Sequence, residues 1–155
     1  MAIERAKFWL KRPSSSVKMK AKMLDMIAAH IVSYDVWFYV SHLALHRPSL
    51  YWIHKRHHEN RFPTWRDTYH ESGWEGVFQS LGFLVPWVFS EFDWKASLAA
   101  GLLLNVRGLM HHDPRMSWLV GSHHLKHHEF FDGNYGQPWL DALFGTALPA
   151  HLNTT

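Results

Sequence analysis

Histidines at helical spacing constrain this chain more than any other feature. His42-Leu-Ala-Leu-His46 is followed by His54-Lys-Arg-His57-His58, and His124-Leu-Lys-His127-His128 repeats the second pattern near the C-terminus. Residues three and four apart share one face of a helix, so each cluster can aim its rings at a common spot. Three such faces brought together make an all-imidazole cage. Neutral imidazole binds zinc, copper, iron or nickel through one ring nitrogen. Eight rings exceed what one ion takes, since a tetrahedral structural zinc is complete with four. Two ions of four or five rings each, with room for a substrate such as dioxygen, match the count. Histidine is abundant, at 14 of 155 residues. A single H-x-x-H-H arises by chance in roughly one such chain in ten. Two copies beside an H-x-x-x-H, each next to an apolar segment, are not explained that way. Lone His30 and His151 are read as non-ligands.

The chain has no cysteine, which excludes disulfides, zinc-thiolate sites and cysteine nucleophiles, so every metal ligand must be His, Asp or Glu. The formal charge is +3 and the pI about 9.3, but no nucleic-acid motif accompanies them, and nucleic acid is not an expected partner. Lys and Arg gather at Arg5 to Lys22 and Arg47 to Arg66. Both regions flank apolar segments, which favours a membrane surface. A mean hydropathy of -0.23 conceals two strongly apolar stretches. The first residues lack the apolar core and cleavage site of a secretory signal.

The length fits one domain: a basic N-terminal segment at 1–22, a catalytic region at 23–148 and a tail at 149–155. Met23 to His46 reads as helix, with Asp35, Tyr39, His42 and His46 on one stripe. Asp35 there either orients a ligand histidine or forms an ordinary ion pair. Arg47-Pro48 ends that helix, and Tyr51 to Glu59 starts another carrying the second cluster. Thr64 to Ser72 is irregular and contains His70. Val77 to Ser90 is apolar but for Gln79, Ala96 to Met110 is apolar except for Asn105 and Arg107, and the polar turn Glu91 to Lys95 joins them, a helical hairpin. A bilayer span needs about 20 apolar residues, so both arms are marginal. Trp74, Trp87 and Trp94 as interface anchors, with an acidic turn opposite the basic end, favour a membrane hairpin. Such a hairpin puts His58 and His124 on one cytoplasmic face. Met23 to Val40 then lies in the interface, packs against the hairpin, or starts across the membrane. Phe130 to Gly136 reads as a loop, and Trp139 to Phe144 as a short helix ending at Gly145. The expected fold is all-α: a compact membrane-associated helical domain with a histidine-lined di-metal site.

Around the cage, Asp35, Tyr39, Asn134, Tyr135 and Asp141 are candidates for holding ligand histidines in place, although a structural turn accounts equally for the last three. Glu59, Glu71, Glu75 and Glu129 flank the clusters as hydrogen-bond partners or as solvated charge. Iron suits oxidation of alkyl carbon because it cycles redox states, which zinc cannot. Soluble di-iron bundles use Glu with Glu-x-x-His, and this chain lacks that repeated pattern.

These features resemble the fatty acid hydroxylase/sterol desaturase superfamily of membrane non-haem di-iron enzymes. The resemblance runs from about Tyr34 to Thr146. It rests on Asp35-Val-Trp-Phe-Tyr39 leading into His42-x-x-x-His46, on both H-x-x-H-H clusters, and on Asn134-Tyr-Gly-Gln137 with Leu140-Asp-Ala-Leu-Phe-Gly-Thr146. Phe131-Asp132, Phe78 to Leu81 and His112-Asp113 are similar to the lathosterol-oxidase branch. The resemblance implies that the eight clustered histidines bind two iron ions, with His112 and His70 as additional ligands and zinc as an ion retained on isolation. It further implies dioxygen as oxidant, a lipid substrate, and electrons from NAD(P)H through a b-type cytochrome and its reductase. The implied location is integral to a membrane, the endoplasmic reticulum if eukaryotic, with the metals facing the cytoplasm. Two departures stand out. Members usually carry more membrane sequence before the first cluster, and Pro114 stands where Gly commonly follows His-Asp. The alternatives are a shortened, non-catalytic metal-binding membrane protein of the same fold and a soluble zinc hydrolase.

Overall fold

The computed structural model describes residues 15–153, and their regular structure is helical throughout. Residues 1–14 of the expected basic segment and 154–155 of the expected tail lie outside the described residues. Helix α1 spans Ser15–Leu45, about 46 Å at 1.5 Å per residue, and so begins before the expected Met23. Helix α2 is one turn, Tyr51–His54, and a 3-10 turn follows at His57–Glu59. The single helix expected from Tyr51 to Glu59 is therefore broken. The tighter winding turns successive side chains by about 120° rather than 100°, and His57 and His58 diverge.

The hairpin is present as α3 (Gly73–Phe89) and α4 (Trp94–His111). Each start is capped, since the Ser72 side chain accepts from the Glu75 amide and the Asp93 side chain from the Lys95 and Ala96 amides. Of the three arrangements open to Met23–Val40, packing against the hairpin is the one found. Gly82 allows it, because a Cβ there would stand 2.3 Å from Cβ of Trp37 on α1. Near the hairpin tip Lys22 pairs with Glu91 at 2.8 Å. Midway, fully buried His30 joins the three helices. Its Nδ1 donates to the Phe83 carbonyl (2.9 Å), while Ser97 Oγ donates to its Nε2 (3.1 Å) and itself accepts from Trp87 Nε1 (3.0 Å). His30 is thus a structural tie, in keeping with its reading as a non-ligand.

The expectation of membrane-crossing helices is corrected. No helix among the described residues is long and apolar enough to cross a membrane. At 17 and 18 residues, α3 and α4 reach about 25 to 27 Å, short of the ~30 Å hydrocarbon core. They also carry Glu75, Gln79, Lys95, Asn105 and Arg107 within that length. Large apolar side chains nonetheless stand on the outer faces of these helices. Val32, Val36 and Val40 of α1, Val77, Leu81 and Val88 of α3, and Leu98, Leu102 and Val106 of α4 are all exposed. The interior at the open end of the hairpin is built mainly of histidine.

That open end is closed by α5 (Ser117–Val120), α6 (His123–Phe130), α7 (Pro138–Phe144) and α8 (Ala150–Asn153). Helix α7 and its Gly145 stop agree with the reading from sequence, with Pro138 at the first turn and Gly145 at φ +69°.

Candidate metal centre

The C-terminal turns of α1 and α4, α2 with its 3-10 turn, and α6 bring nine histidines together at the open end. His42, His46, His54, His58 and His127 form one group, and His57, His112, His124 and His128 the other. Within each group the ligand atoms lie within 4.8 Å of one another. All eight clustered histidines are present, joined by His112. His70 joins neither group and pairs with Glu59 at 2.8 Å on the surface. The spacing rule was only half right about the H-x-x-H-H motifs, because neither directs all three rings to one spot. The i, i+4 pair His54 and His58 serves the first group while His57 serves the second, and the pair His124 and His128 serves the second while His127 serves the first.

The protonation pattern follows from what each ring's other nitrogen touches. Nδ1 of His127 donates to the Gly133 carbonyl (2.8 Å), that of His112 to Gly108 (3.0 Å), that of His42 to Tyr135, and that of His54 to the Glu75 carboxyl (2.6 Å). With the proton fixed on Nδ1, each Nε2 presents a lone pair to the cage. Nε2 of His42 stands 2.9 Å from that of His54, His127 3.1 Å from His58, His124 3.0 Å from His112, and His57 3.1 Å from His128. Two ligands at right angles on a metal with ~2.1 Å bonds lie about 3.0 Å apart. In the His42–His54 pair, where both Nδ1 protons are placed by their partners, two facing lone pairs repel unless a cation stands between them, and the same close approach recurs in the other pairs, so these residues fit a pair of metal ions.

Burial lowers the pKa of all nine, His46 to about 4 and His128 to about 3, and neighbouring imidazoles add to it for all but His46 and His112. Neutral rings are the form that binds metal. Burial likewise pushes Glu75, wholly inaccessible, up to about 9, with Glu71 adding to the effect.

The other expected supporting residues divide. Asp141 is the organiser of the loop after α6: its carboxylate accepts from the Tyr135 and Gly136 amides, Thr146 Oγ1 and His123 Nε2, at 2.7 to 2.9 Å. Asn134, at φ +58°, donates to the His123 carbonyl and accepts from the Leu148 amide. Together they set the Gly133 and Tyr135 carbonyls that orient His127 and His42. Tyr39 bonds Thr146 and stacks on Phe144, bracing the same loop. Asp35 takes the ion-pair alternative and holds the guanidinium of Arg107. Of the flanking glutamates only Glu75 bonds a cage ring; Glu129 pairs with Lys126 and Glu59 with His70. The reading from sequence missed His123 and the three orienting carbonyls. Backbone acceptors leave no mark on residue identity, although Gly108 and His112 do stand at i, i+4.

A cavity of about 420 Å³ opens between α1, α3 and α4 and reaches His57, His112 and His124. The four-histidine group therefore faces open space.

A family model described as fatty acid hydroxylase matches residues 27–146, which hold every cage histidine. The chain belongs to the fatty acid hydroxylase family. Its relatives include the methylsterol monooxygenase erg25B of Aspergillus fumigatus, 30% identical over 93% of this chain and 58% of that protein. They also include the lathosterol oxidases of Homo sapiens and Mus musculus, 33% and 35% identical over 66% of this chain and 38% of each relative. This fatty acid hydroxylase chain spans about half the length of the curated relatives it matches. No solved structure matches it.

Proposed function

We propose that the chain is an oxidoreductase that attacks an unactivated C–H bond of a lipid with dioxygen, by hydroxylation or desaturation, at two iron ions. The observation that carries the reading is the four-histidine group opening onto a lipid-sized cavity that no member of the five-histidine group lines. In this reading His42, His46, His54, His58 and His127 hold one ion and His57, His112, His124 and His128 the other. The irons supply redox cycling and activation of dioxygen, which no side chain here can provide. The protein's share is to keep nine rings neutral and oriented, to exclude water from the cage, and to seat the lipid along the cavity with its reacting carbon at the His57, His112 and His124 wall. The exposed valines and leucines of α1, α3 and α4 would sit in one leaflet, so that substrate enters from lipid without a helix crossing the bilayer. Electrons would come from NAD(P)H through a b-type cytochrome and its reductase, as the resemblance implies.

The test expresses the chain and a His127→Ala counterpart in a host lacking its own sterol desaturase, with iron and reductant supplied, and compares total lipids by mass spectrometry. A lipid gaining one oxygen or losing two hydrogens only with the intact chain is the expected result. Identical lipid profiles, with the intact chain folded and carrying about two irons, would overturn the catalytic reading in favour of a metal-binding relative without activity.

A further inference from the structure

The cavity's lining is more selective than its size. Among the described residues on its wall, Arg107 is the sole Lys or Arg, and Asp35 already engages both of its terminal nitrogens. Glu71 also faces the cavity and pairs with no cation among the described residues. The wall imidazoles are committed elsewhere, His57, His112 and His124 to the metal group and His123 to Asp141. An anionic head would therefore meet no free Lys or Arg, and would meet a carboxyl.

Neutral hydrogen-bonding capacity is nevertheless available. The Gln79 side chain is 92% buried yet lines the cavity; its Nε2 reaches only Glu75, at 3.4 Å, and its amide oxygen accepts no bond among the described residues. The Tyr34 hydroxyl, also on the wall, has no partner among them either. These groups are not spread evenly. Gln79 lies one helical turn, about 6 Å, beyond Glu75, a carboxylate oxygen of which lies within 4.8 Å of a ring nitrogen of cavity-lining His57. Farther out the wall becomes Phe83, Leu84, Leu104 and Gly101, the last about 16 Å along α4 from His112.

Resting on the reading of this cavity as the substrate site, we infer that it selects a lipid with a neutral hydrogen-bonding head, a hydroxyl in the simplest case. The head is held by Gln79 beside the histidine cage, and the apolar body runs toward the hairpin tip. The carbon that reaches the cage then lies near the head, within about five bonds for a 6 Å separation. A free fatty acid oxidised in mid-chain does not fit this arrangement.

The test reads binding without turnover. A fluorescent conjugated-triene sterol bound to the detergent-solubilised full chain is displaced by cholesterol, by its 3-methyl ether, or by its hemisuccinate, which shares the apolar body but ends in a carboxylate. The alcohol should compete about tenfold better than the ether, as one added hydrogen bond allows, and better still than the hemisuccinate. Gln79→Leu should bring the alcohol-to-ether ratio to about one. Asp35→Asn, which releases the Arg107 guanidinium, should strengthen the hemisuccinate about tenfold. A hemisuccinate that matches the alcohol in the unaltered chain overturns the neutral-head assignment. An alcohol-to-ether ratio that survives Gln79→Leu overturns the placement of the head, and absence of displaceable probe binding overturns both. Because no step requires turnover, lipid oxidation without head-group discrimination would leave the proposed function standing and sink this inference alone.

Discussion

Replacing Glu75 tests whether the cage depends on support from outside its ligands. The side chain is wholly buried, Oε1 accepts from His54 Nδ1 at 2.6 Å, and Oε2 has no hydrogen-bond partner among the described residues. Glu75→Ala leaves a buried N–H unpaired and lets the ring turn, at a cost of about 1–3 kcal/mol. That corresponds to roughly 5- to 150-fold weaker metal binding in the five-histidine group, and outer partners of metal-bound histidine elsewhere are worth about 10- to 100-fold. Glu75→Gln retains an acceptor oxygen on a neutral side chain, as Glu75 itself is below about pH 9, and should lose less than about tenfold. The assay is titration of zinc-loaded protein with a chromophoric chelator, with circular dichroism to confirm that the helices persist. The expected pattern is two ions per chain at saturation in all three proteins, with affinity falling from wild type to Gln to Ala. An Ala variant that holds metal within twofold of wild type, or a Gln variant weaker than Ala, would refute the argument that this carboxyl orients His54.

Three further outcomes follow from the geometry. In metal-free protein the nine cage histidines titrate below their unfolded value near 6.5, so their contribution to stability is present above pH 6.5 and lost as pH falls toward 4 and 3. Glu75 is raised to about 9, so its contribution is full below its unfolded value near 4.5 and lost as pH rises through 9; thermal midpoints across pH should peak near 6.5, and a flat profile would contradict both shifts. Gly82→Ala drives a methyl into Trp37, which would stand 2.3 Å away, and close to the Ser33 carbonyl; an overpacking cost of about 1–3 kcal/mol should lower the thermal midpoint by several degrees, whereas an unchanged midpoint would mean α1 and α3 are not in this contact. Asp141→Ala strips acceptors from two backbone amides, a hydroxyl and an imidazole, and about 3–5 kcal/mol or roughly 10–15 °C of stability should go with them, together with metal affinity at His42 and His127; unaltered metal binding would sever the proposed link from loop to cage.

Much of this was legible because histidine at three- and four-residue spacing has few other uses. The hairpin, its polar turn and the short helix ending at Gly145 were equally plain, and in the structure Ser72, Asp93, Pro138 and Gly145 stand at their ends. The hairpin arms read as marginal spans, apolar but for Gln79, Asn105 and Arg107, and no helix among the described residues is long and apolar enough to cross a membrane. Glu75 and Gln79 look inward from α3, and no hydropathy average distinguishes an inward from an outward face. The break after His54 was hidden for a related reason. Helix propensity reports on local backbone, while the split of His57 from its neighbours is imposed by partners on α4 and α6, more than fifty residues away. Asp35 carried two readings, and only the approach of Arg107 across the helix pair decides between them.

Under the proposed two-ion reading, the crossed allegiance of the two H-x-x-H-H segments makes the two metal positions mechanically inseparable. A segment drawn into place by one ion carries with it the ring that the other ion needs, so most of the ordering required for the second ion is done by the first. A half-filled cage is then the least favoured of its three states. Metal should enter and leave as a pair: chelator titration should show uptake steeper than for independent sites, and limited chelation should leave a mixture of empty and full molecules rather than a uniform population holding one ion each.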